Sequence, residues 1–362
     1  MRIKKNITIS LTLGILLSAV ALYLSFRNVP FADLATYLTT INYFWILPAV
    51  FIALMSFVIR TLRWQFILGA AHTVNFRQAF HPLMIGFMLN CILPGRIGEL
   101  ARPAILQKKD NLPFSTGLAT VAAERLFDII LLIILAITVF AFVHIDPALD
   151  ISFGKYHLNR ETLIAIGAGL FKLSAALIAG VIIISFSAIQ NLAKKLIMAL
   201  PAMFFFAGSN FKNRMQEKIC TPLTDFLENF VLGFALIKNP KKVGICIVLS
   251  TIIWSLAALS YYVMALGCPG IRLSYFEITA VMIIICLFIA LPSVPGFWGL
   301  WEAGGVFALS LFGIPAKEAL GFTLASHVIQ MVPVIIIGIL SAMVIGVNIW
   351  QISYYNDDEK RS

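Results

Sequence analysis

Ionisable residues are rare in this sequence, and those that fall inside apolar stretches form three groups. The first is Arg96, Glu99 and Arg102, spaced three apart just after Pro94-Gly95. A helix that begins after this pair would place the three side chains on one broad face, near the partial positive charge of its N-terminus. Two guanidinium groups at a helix start match the oxygens of a phosphate. The spacing predicts an anion site, in which Glu99 holds the arginines or pairs with a cationic head group.

The second group is Glu124, Arg125 and Asp128, at the start of a long apolar run. Glu124 and Asp128 are four residues apart and share a helical face, while Arg125 and Asp128 are three apart and can pair. Two interpretations are open. The cluster could neutralise itself and lock helices together, or it could bind substrate, because ionisable residues within membrane segments are commonly functional.

The third group surrounds Glu302 in a glycine-rich stretch, with Trp298 and Trp301 beside it. The glycines allow close approach of helices or of a ligand. The tryptophans are expected either as anchors at the membrane interface or as the lining of a cavity. His327, three residues before Gln330, is expected either to face that cavity or to act as a hydrogen-bonded packing residue.

These groups define the predicted site. Lys172, midway along an apolar stretch, needs a carboxylate partner, such as Asp128 or Glu302, or a snorkelling path to water. The residues predicted to bind a lipid phosphate are Arg96, Arg102, Arg125, Gly95 and Gly98. Those predicted to form a charge network or gate are Glu99, Glu124, Asp128, Glu302, Lys172 and His327. Helix breaks are predicted at Pro94, Pro292, Pro295 and Gly296.

We expect no metal site, no cofactor and no catalytic residue. None of the five cysteines has C-x-x-C spacing, so they are interpreted as small buried side chains. The sequence has no nucleotide-binding or nucleophile motif. An enzymatic activity stays open, but no catalytic motif supports it.

The elements that position these residues must be helices in a bilayer. Hydrophobic residues make up 60% of the 362 residues and charged residues 12%, against about 45–50% and about 25% in soluble domains. Six apolar segments approach or exceed the about 20 residues that a span needs: 7–26, 43–62, 127–144, 163–187, 243–266 and 319–348. We predict an all-α polytopic bundle of these spans plus two Pro-Gly-broken segments, 78–123 and 275–312, which are either re-entrant or fully spanning.

The two broken segments share a short pattern. Residues 94–98 and 295–299 both read P-G-x-x-G, and a glutamate follows each. Inverted repeats whose broken helices meet near the bilayer midplane are typical of transporters. The pattern is compatible with such a repeat, although Pro-Gly also occurs at unrelated helix breaks.

The basic residues predict orientation and domains. Lys4 and Lys5, the arginines after the second span (Arg60, Arg63, Arg77) and many lysines within 189–242 place these regions in the cytoplasm. We predict one transmembrane domain, 1–350, with a cytoplasmic connector, 189–242, that contains an amphipathic helix. A polar tail, 351–362, is expected in the cytoplasm. The net charge of +10 then indicates anionic lipid head groups as partners, and no nucleic acid.

Three stretches resemble one known family. They are LPGRIGELARP at 93–103, AERLFD at 123–128 and VPGFWG at 294–299 with Glu302. They resemble the transmembrane region of lysylphosphatidylglycerol synthases, a family of flippase-like membrane proteins. The resemblance implies a bundle that moves lipids across the bilayer. It further implies that archaeal relatives act in lipid-linked glycan assembly. The soluble domain that makes the aminoacylated lipid is missing before Ser362, so lysyl transfer is not expected.

We therefore expect translocation of a phospholipid or polyprenyl-phosphate lipid, or an accessory role in it, in the bacterial inner membrane. The alternative is a membrane transferase that uses Glu99, Glu124 or Asp128 as base or metal ligands on a lipid carrier. A third is a scaffold or regulator. A lipid-modifying enzyme as partner and an oligomeric state are both compatible with the sequence.

Overall fold

The computed structural model describes residues 2–27, 29–142, 186–204, 208–291 and 294–347, with short pieces between 151 and 183. The predicted break at Pro292, most of the predicted span 163–187 and the tail 351–362 lie outside the described residues. The described chain is an all-α bundle, which confirms the predicted fold class. Its strands are a short antiparallel hairpin, β1 (Ile151–Phe153) and β2 (Tyr156–Leu158).

Among the residues described before that hairpin, there are six helices. They are α1 (Arg2–Phe26), α2 (Phe31–Thr40), α3 (Ile46–Leu68, preceded by the 3₁₀ turn Tyr43–Trp45), α4 (Phe76–Ile92), α5 (Gly98–Asp110) and α6 (Phe114–Phe142). Asn75 begins α4 with a reciprocal capping pair, in which its side chain and that of Gln78 each accept the other's backbone N–H. The buried faces of these helices meet the C-terminal half of the bundle.

In the described ranges after residue 186, seven further helices follow. They are α7 (Ser187–Met203), α8 (Ser209–Met215), α9 (Thr221–Gly233, reached through the π-helical stretch Gln216–Cys220), α10 (Pro240–Leu266, preceded by the 3₁₀ turn Ala235–Lys238), α11 (Tyr275–Ile289), α12 (Leu300–Ser310) and α13 (Ala316–Val344). In the predicted connector, α9 packs on α6, where Thr116 Oγ1 donates to the Asn229 carbonyl at 2.9 Å. The cytoplasmic side of this connector stays a prediction.

Among the described residues, three stretches are long and apolar enough to cross a membrane: Tyr43–Leu68, Pro240–Leu266 and Ala316–Val344. They correspond to the predicted spans 43–62, 243–266 and 319–348. The predicted span 7–26 forms one arm of a pair, Gly14–Phe26 and Phe31–Thr40, that bends by 77°. The predicted span 127–144 falls largely in the second half of α6.

The two broken segments fold as helical hairpins. α4 packs along α5, and α11 packs along α12. The α5 and α11 helices have 13 and 15 residues, fewer than the about 20 that a full span requires. Each segment therefore forms a helical hairpin with an arm shorter than a full span, and its re-entrant or spanning course in the membrane stays a prediction. The long helix α13 packs on α4 from the first hairpin and on α12 from the second, and so connects the two.

Candidate functional site

The first hairpin turns through left-handed backbone. Gly95 has a φ of 76° and Arg96 a φ of 53°, and α5 begins only at Gly98. Arg96 therefore lies in the turn, where its side chain is exposed. The expectation that it shares a helical face with the other two charges of its group is wrong, because the turn continues for one residue beyond the glycine.

Helices α4 and α5 cross with their backbones in contact. A Cβ added to Gly98 would lie 1.8 Å from the Gly86 carbonyl oxygen, so only glycine fits at this crossing. The Asn90 side chain accepts a hydrogen bond from the Gly98 N–H at 2.9 Å. The stem of Arg102 covers Gly86, since a Cβ there would lie 2.5 Å from Arg102 Cγ. The crossing thus fixes where Arg102 leaves α5.

The second hairpin repeats the backbone of the first turn. Gly296 has a φ of 70° and Phe297 a φ of 62°, as Gly95 and Arg96 do at the matching positions of P-G-x-x-G. The shared five-residue pattern therefore corresponds to a shared turn. A two-fold relation between whole halves of the chain stays a prediction.

The two turns touch each other. Arg96 Nη2 donates a hydrogen bond to the Ile289 carbonyl, at the end of α11, over 2.9 Å. Its guanidinium carbon lies 5.9 Å from the centre of the Phe297 ring. A Cβ on Gly296 would lie 3.1 Å from the Cys91 carbonyl oxygen, at the end of α4. The predicted breaks therefore meet tip to tip, and Arg96 supplies a side-chain contact between them.

An arginine–carboxylate network joins α3, α5 and α6. Arg63 Nη1 lies 2.7 Å from Asp128 Oδ1, and its Nη2 lies 3.3 Å from Glu124 Oε1. Arg102 Nη2 donates to Glu124 Oε2 at 2.6 Å. Arg125 Nη2 donates to Glu124 Oε1 at 2.8 Å and lies 3.4 Å from Asp128 Oδ2. Glu124 is thus held by three arginines from three helices.

Aromatic rings enclose the arginines of this network. The Arg102 guanidinium lies 4.0 Å from the centre of the Trp64 ring. Arg60, 3.9 Å from Asp128, lies 5.4 Å from the centre of the Trp254 ring and close to two phenylalanine rings. Rings at such distances stabilise cations that have lost water. The network is therefore both ion-paired and walled by aromatic side chains.

Exposure divides the network into a closed part and an open edge. The side chains of Arg63, Arg102 and Glu124 are 0%, 2% and 0% exposed. Those of Arg125 and Glu99 are 29% and 26% exposed, with Arg125 Nε 3.9 Å from Glu99 Oε1. Among the described residues, the network contains four arginines and three carboxylates, so one positive charge is in excess. Arg125 and Glu99 form the partly exposed edge of the network.

A separate polar pair lies behind the second turn. His327 of α13 places Nδ1 2.6 Å from Glu302 Oε1 and Nε2 2.8 Å from the Gly296 carbonyl oxygen. Glu302 also accepts the Gly299 N–H at 2.6 Å, at the start of α12. The His327 ring stacks on that of Trp301, with centroids 4.4 Å apart. The predicted third group thus forms one contact set, although it is distinct from the arginine network.

The other predicted residues occupy different places. Lys172 is exposed and lies in a stretch that is described only in pieces. Its two predicted carboxylate partners, Asp128 and Glu302, instead contact Arg63 and His327. Gln330 donates to Ser260 Oγ of α10 at 3.0 Å. Pro295 begins the 3₁₀ turn of the second break. Among the described residues, no group of three or more His, Cys, Asp or Glu side chains is arranged to hold a metal ion.

Sequence reasoning missed Arg60 and Arg63 as site residues, because it assigned them to a cytoplasmic loop. Both lie inside α3 and are buried, and Arg63 Nη1 also donates to Ser250 Oγ of α10 at 2.7 Å. Their spacing of three places them on one helical face within an apolar run. That spacing was a signal of the same kind as the one that identified the first group.

Comparison with known proteins gives a consistent result. The profile of the family described as "Lysylphosphatidylglycerol synthase TM region" matches residues 11–338. A "UPF0104 membrane protein" of Pyrococcus horikoshii is 26% identical over 82% of this chain and 85% of its own length. Another, of Methanothermobacter thermautotrophicus, is 26% identical over 93% of each chain. The "Glycosyltransferase AglD" of Haloferax volcanii is 23% identical over 96% of this chain but 56% of its own length. No solved structure matches significantly.

Proposed function

This chain belongs to the lysylphosphatidylglycerol synthase transmembrane-region family, and we propose that it translocates a lipid whose head group carries a phosphate. The substrate class is a phospholipid or a polyprenyl-phosphate lipid. The observation that carries the proposal is a partly exposed arginine, Arg125, at the edge of a network with excess positive charge, next to the meeting tips of two hairpins.

Arg125 is prepared to bind a phosphate. Its Nη2 atom is oriented by Glu124 and Asp128, whereas Nε is buried and donates no hydrogen bond within the described residues. The nearest oxygen of Glu99 is 3.9 Å from Nε, too far for a hydrogen bond, so a phosphate that displaces the partly exposed Glu99 side chain would reach Nε. A guanidinium held in this way offers the planar pair of donors that phosphate oxygens accept.

Arg96 supplies a second cation on the tip of the first hairpin. Its partner, the Ile289 carbonyl, is neutral, so a phosphate can replace it as acceptor and gain a charge-assisted bond. Breaking that contact removes the side-chain hydrogen bond between the two tips and leaves the close approach of Gly296 to Cys91. Binding of a lipid phosphate and opening of the path between the hairpins are thereby linked.

Arg102 has a different role from the one that the sequence suggested. It is 2% exposed, and both its Glu124 contact and the Trp64 ring hold it in place. In this proposal Arg102 and Arg63 position Glu124, which in turn positions Arg125. The phosphate ligands are therefore Arg96 and Arg125.

We propose that the chain resides in the plasma membrane, as the sequence predicts for a bacterial inner-membrane protein. Both termini are then in the cytoplasm. Membrane residence follows from the family and from the apolar helices. The basic residues of 189–242 and the two lysines near the N-terminus support the orientation. A partner enzyme that makes the transported lipid fits this location.

The test is lipid movement by the purified full chain in vesicles of phosphatidylethanolamine and phosphatidylglycerol. A trace of head-group-labelled fluorescent phosphatidylglycerol is bleached from outside by dithionite, so the bleached fraction reports movement from the inner leaflet. We expect Arg125→Ala and Arg96→Ala to slow movement about tenfold, since a charge-assisted hydrogen bond is worth about 1.5–3 kcal/mol. Arg77→Ala is the matched control, because Arg77 is an exposed cation at the start of α4.

A translocation rate that Arg125→Ala and Arg96→Ala leave unchanged, in proteins as stable as the wild type, would contradict these roles. Wild-type vesicles that bleach no faster than empty ones would remove translocation itself.

The second candidate is a transferase acting on a lipid carrier. It is supported by the glycosyltransferase relative, which this chain matches over 56% of that protein's length. Turnover of a sugar nucleotide with a polyprenyl-phosphate acceptor by the purified chain would favour it. Loss of that turnover in Glu99→Gln, with lipid movement retained, would assign the carboxylate to chemistry.

A further inference from the structure

The hydrogen bonds of the buried pair Glu302 and His327 determine how many protons the two side chains hold. The Gly296 carbonyl oxygen can only accept a hydrogen bond, so His327 Nε2 must carry a hydrogen to make its 2.8 Å contact. The 2.6 Å contact between His327 Nδ1 and Glu302 Oε1 needs one further proton, on either atom. The described geometry therefore requires one shared proton, as imidazolium with carboxylate or as neutral imidazole with carboxylic acid.

Loss of that proton leaves one ring hydrogen for two acceptors. A neutral imidazole can donate from Nδ1 to the Glu302 carboxylate or from Nε2 to the Gly296 carbonyl, but not to both. The carboxylate is the stronger acceptor, so the hydrogen moves to Nδ1 and the Nε2 lone pair then faces the Gly296 carbonyl oxygen. The side chains of Glu302 and His327 are 0% and 1% exposed, so water cannot readily fill the gap. Two buried acceptors that face each other are costly, so the contact between His327 and Gly296 must open when the proton leaves.

Aromatic rings enclose the pair. Within the part of the chain that the structure describes, Glu302 has His327 as its single ion-pair partner. The His327 ring lies beside the rings of Trp298 and Trp301, each 4.4 Å from it by centroids. Titratable or charged groups on the elements that pack against α12 or α13 include Tyr23 of α1, Tyr37 of α2, Arg60 of α3, Cys91 of α4, Tyr261 of α10 and Cys286 of α11, with Arg96 in the first turn.

The same pair joins α13, the second turn and α12. His327 belongs to α13, the Gly296 carbonyl to the second turn, and the Glu302 carboxylate caps α12 through the Gly299 N–H. Gly296 in turn touches Cys91 at the tip of the first hairpin. Contact between protonated His327 and the Gly296 carbonyl therefore holds the second turn in the place where it meets the first.

We propose that Glu302 and His327 form a proton-binding site whose occupancy latches the second hairpin to α13, so that proton release opens the contact between the hairpin tips. The coupling to lipid movement rests on the proposed translocation. The proton site itself does not. The ligand is the proton, and the result is lipid movement that depends on pH.

Two variants separate the states of this latch. In Glu302→Gln, the amide oxygen can accept the Gly299 N–H while the amide NH₂ donates to neutral His327 Nδ1. All contacts then persist without a shared proton, so this variant stays latched at every pH. In His327→Gln, one side chain replaces two fixed ring nitrogens and cannot bridge Glu302 and Gly296, so the latch is absent.

The proton site is measured by tryptophan fluorescence of the full chain in vesicles of phosphatidylethanolamine and phosphatidylglycerol. An imidazolium quenches a neighbouring indole more than a neutral imidazole does, and His327 touches two. We expect a change in emission with pH that His327→Gln abolishes. His72→Gln, which removes an exposed histidine, should leave the change intact. A change that survives in His327→Gln would overturn the proton site.

The coupling is measured by the dithionite assay over the same pH series. We expect wild-type lipid movement to rise as the proton leaves, Glu302→Gln to be slow throughout, and His327→Gln to be fast throughout. A wild-type rate that ignores pH while the fluorescence titrates would overturn the latch. If wild-type protein moves no lipid at any pH, translocation fails as a function, whereas the proton site stands on its fluorescence.

Discussion

At the scale of single residues, the feature that organises the site is Glu124. Its carboxylate is fully buried and contacts Arg63, Arg102 and Arg125 from three different helices. Charges placed out of water are tolerated only when they are paired and hydrogen-bonded. Glu124 therefore compensates cations that the apolar bundle could not otherwise hold, and it fixes the orientation of the arginine that we propose binds phosphate.

We predict that Glu124→Gln lowers the free energy of unfolding by about 3–5 kcal/mol, the cost of removing one partner from a buried ion pair. The neutral amide leaves Arg63 and Arg102 facing each other without the charge that now separates them. Thermal unfolding of the detergent-solubilised protein, followed by loss of monodisperse protein, measures the effect.

The matched control is Glu228→Gln. Glu228 pairs with Lys194 at 2.5 Å, but its side chain is 53% exposed. Exposed ion pairs contribute about 0–1 kcal/mol, so this variant should unfold close to the wild type. Equal destabilisation by both variants would mean that burial does not determine how much the ion pairs of the network contribute to the free energy of unfolding.

At the scale of elements, the first hairpin depends on the crossing of α4 and α5. A Cβ at Gly98 would lie 1.8 Å from the Gly86 carbonyl, a backbone atom that cannot move aside alone. We predict that Gly98→Ala separates the two helices, costs about 1–3 kcal/mol as an overpacking change and displaces Arg102 from Glu124. Lipid movement and thermal stability should fall together.

Gly244→Ala provides the control for this change. Gly244 lies in α10 with no atom within 4 Å of an added Cβ. Alanine in an exposed helix is favoured over glycine by about 1 kcal/mol, so this variant should be slightly more stable than the wild type. A Gly98→Ala protein that behaves like Gly244→Ala would show that the helices do not cross as described.

The sequence predicted the elements better than their contacts. Apolar length identified the spans, and Pro-Gly identified both breaks, because these are local properties of the chain. The left-handed φ of Arg96 was not predictable, since glycine alone was expected to take that conformation. The burial of Arg60 and Arg63 was also missed, because a cation near the end of an apolar run is ordinarily a loop residue that marks the cytoplasmic side.

The sequence placed the three charged groups correctly along the chain but could not say which of them meet. The first two form one network through Arg102–Glu124 and the Arg125–Glu99 contact. The third forms its own pair with His327. These groupings depend on how α3, α5 and α6 pack against one another. The spacing of residues along the sequence between 60 and 128 does not show which charged side chains will pair across helices.

At the scale of the whole molecule, the outer surface is apolar and the polar groups converge inside. Large side chains such as Leu47, Phe51, Leu340 and Met343 are exposed on α3 and α13, where lipid tails would surround them. Inside, the two helical hairpins meet at their turns. The arginine network joins α3, α5 and α6, and the pair of Glu302 and His327 contacts the second turn. This arrangement predicts that lipid passes only when the turns move apart.

A cross-link between the two turns tests that claim most directly. Cys91 is retained, Gly296 is changed to Cys, and the other four cysteines are replaced by alanine. The left-handed φ at 296 costs about 1–2 kcal/mol for a non-glycine residue. Gly296→Ala in the same background is the control, because it has the same backbone cost but no thiol at 296. A short bifunctional, reducible thiol reagent then joins the tips. We predict that lipid movement in the cross-linked protein falls to the rate of empty vesicles and returns on reduction, while the control ignores the reagent. Unchanged lipid movement through cross-linked tips would contradict the account.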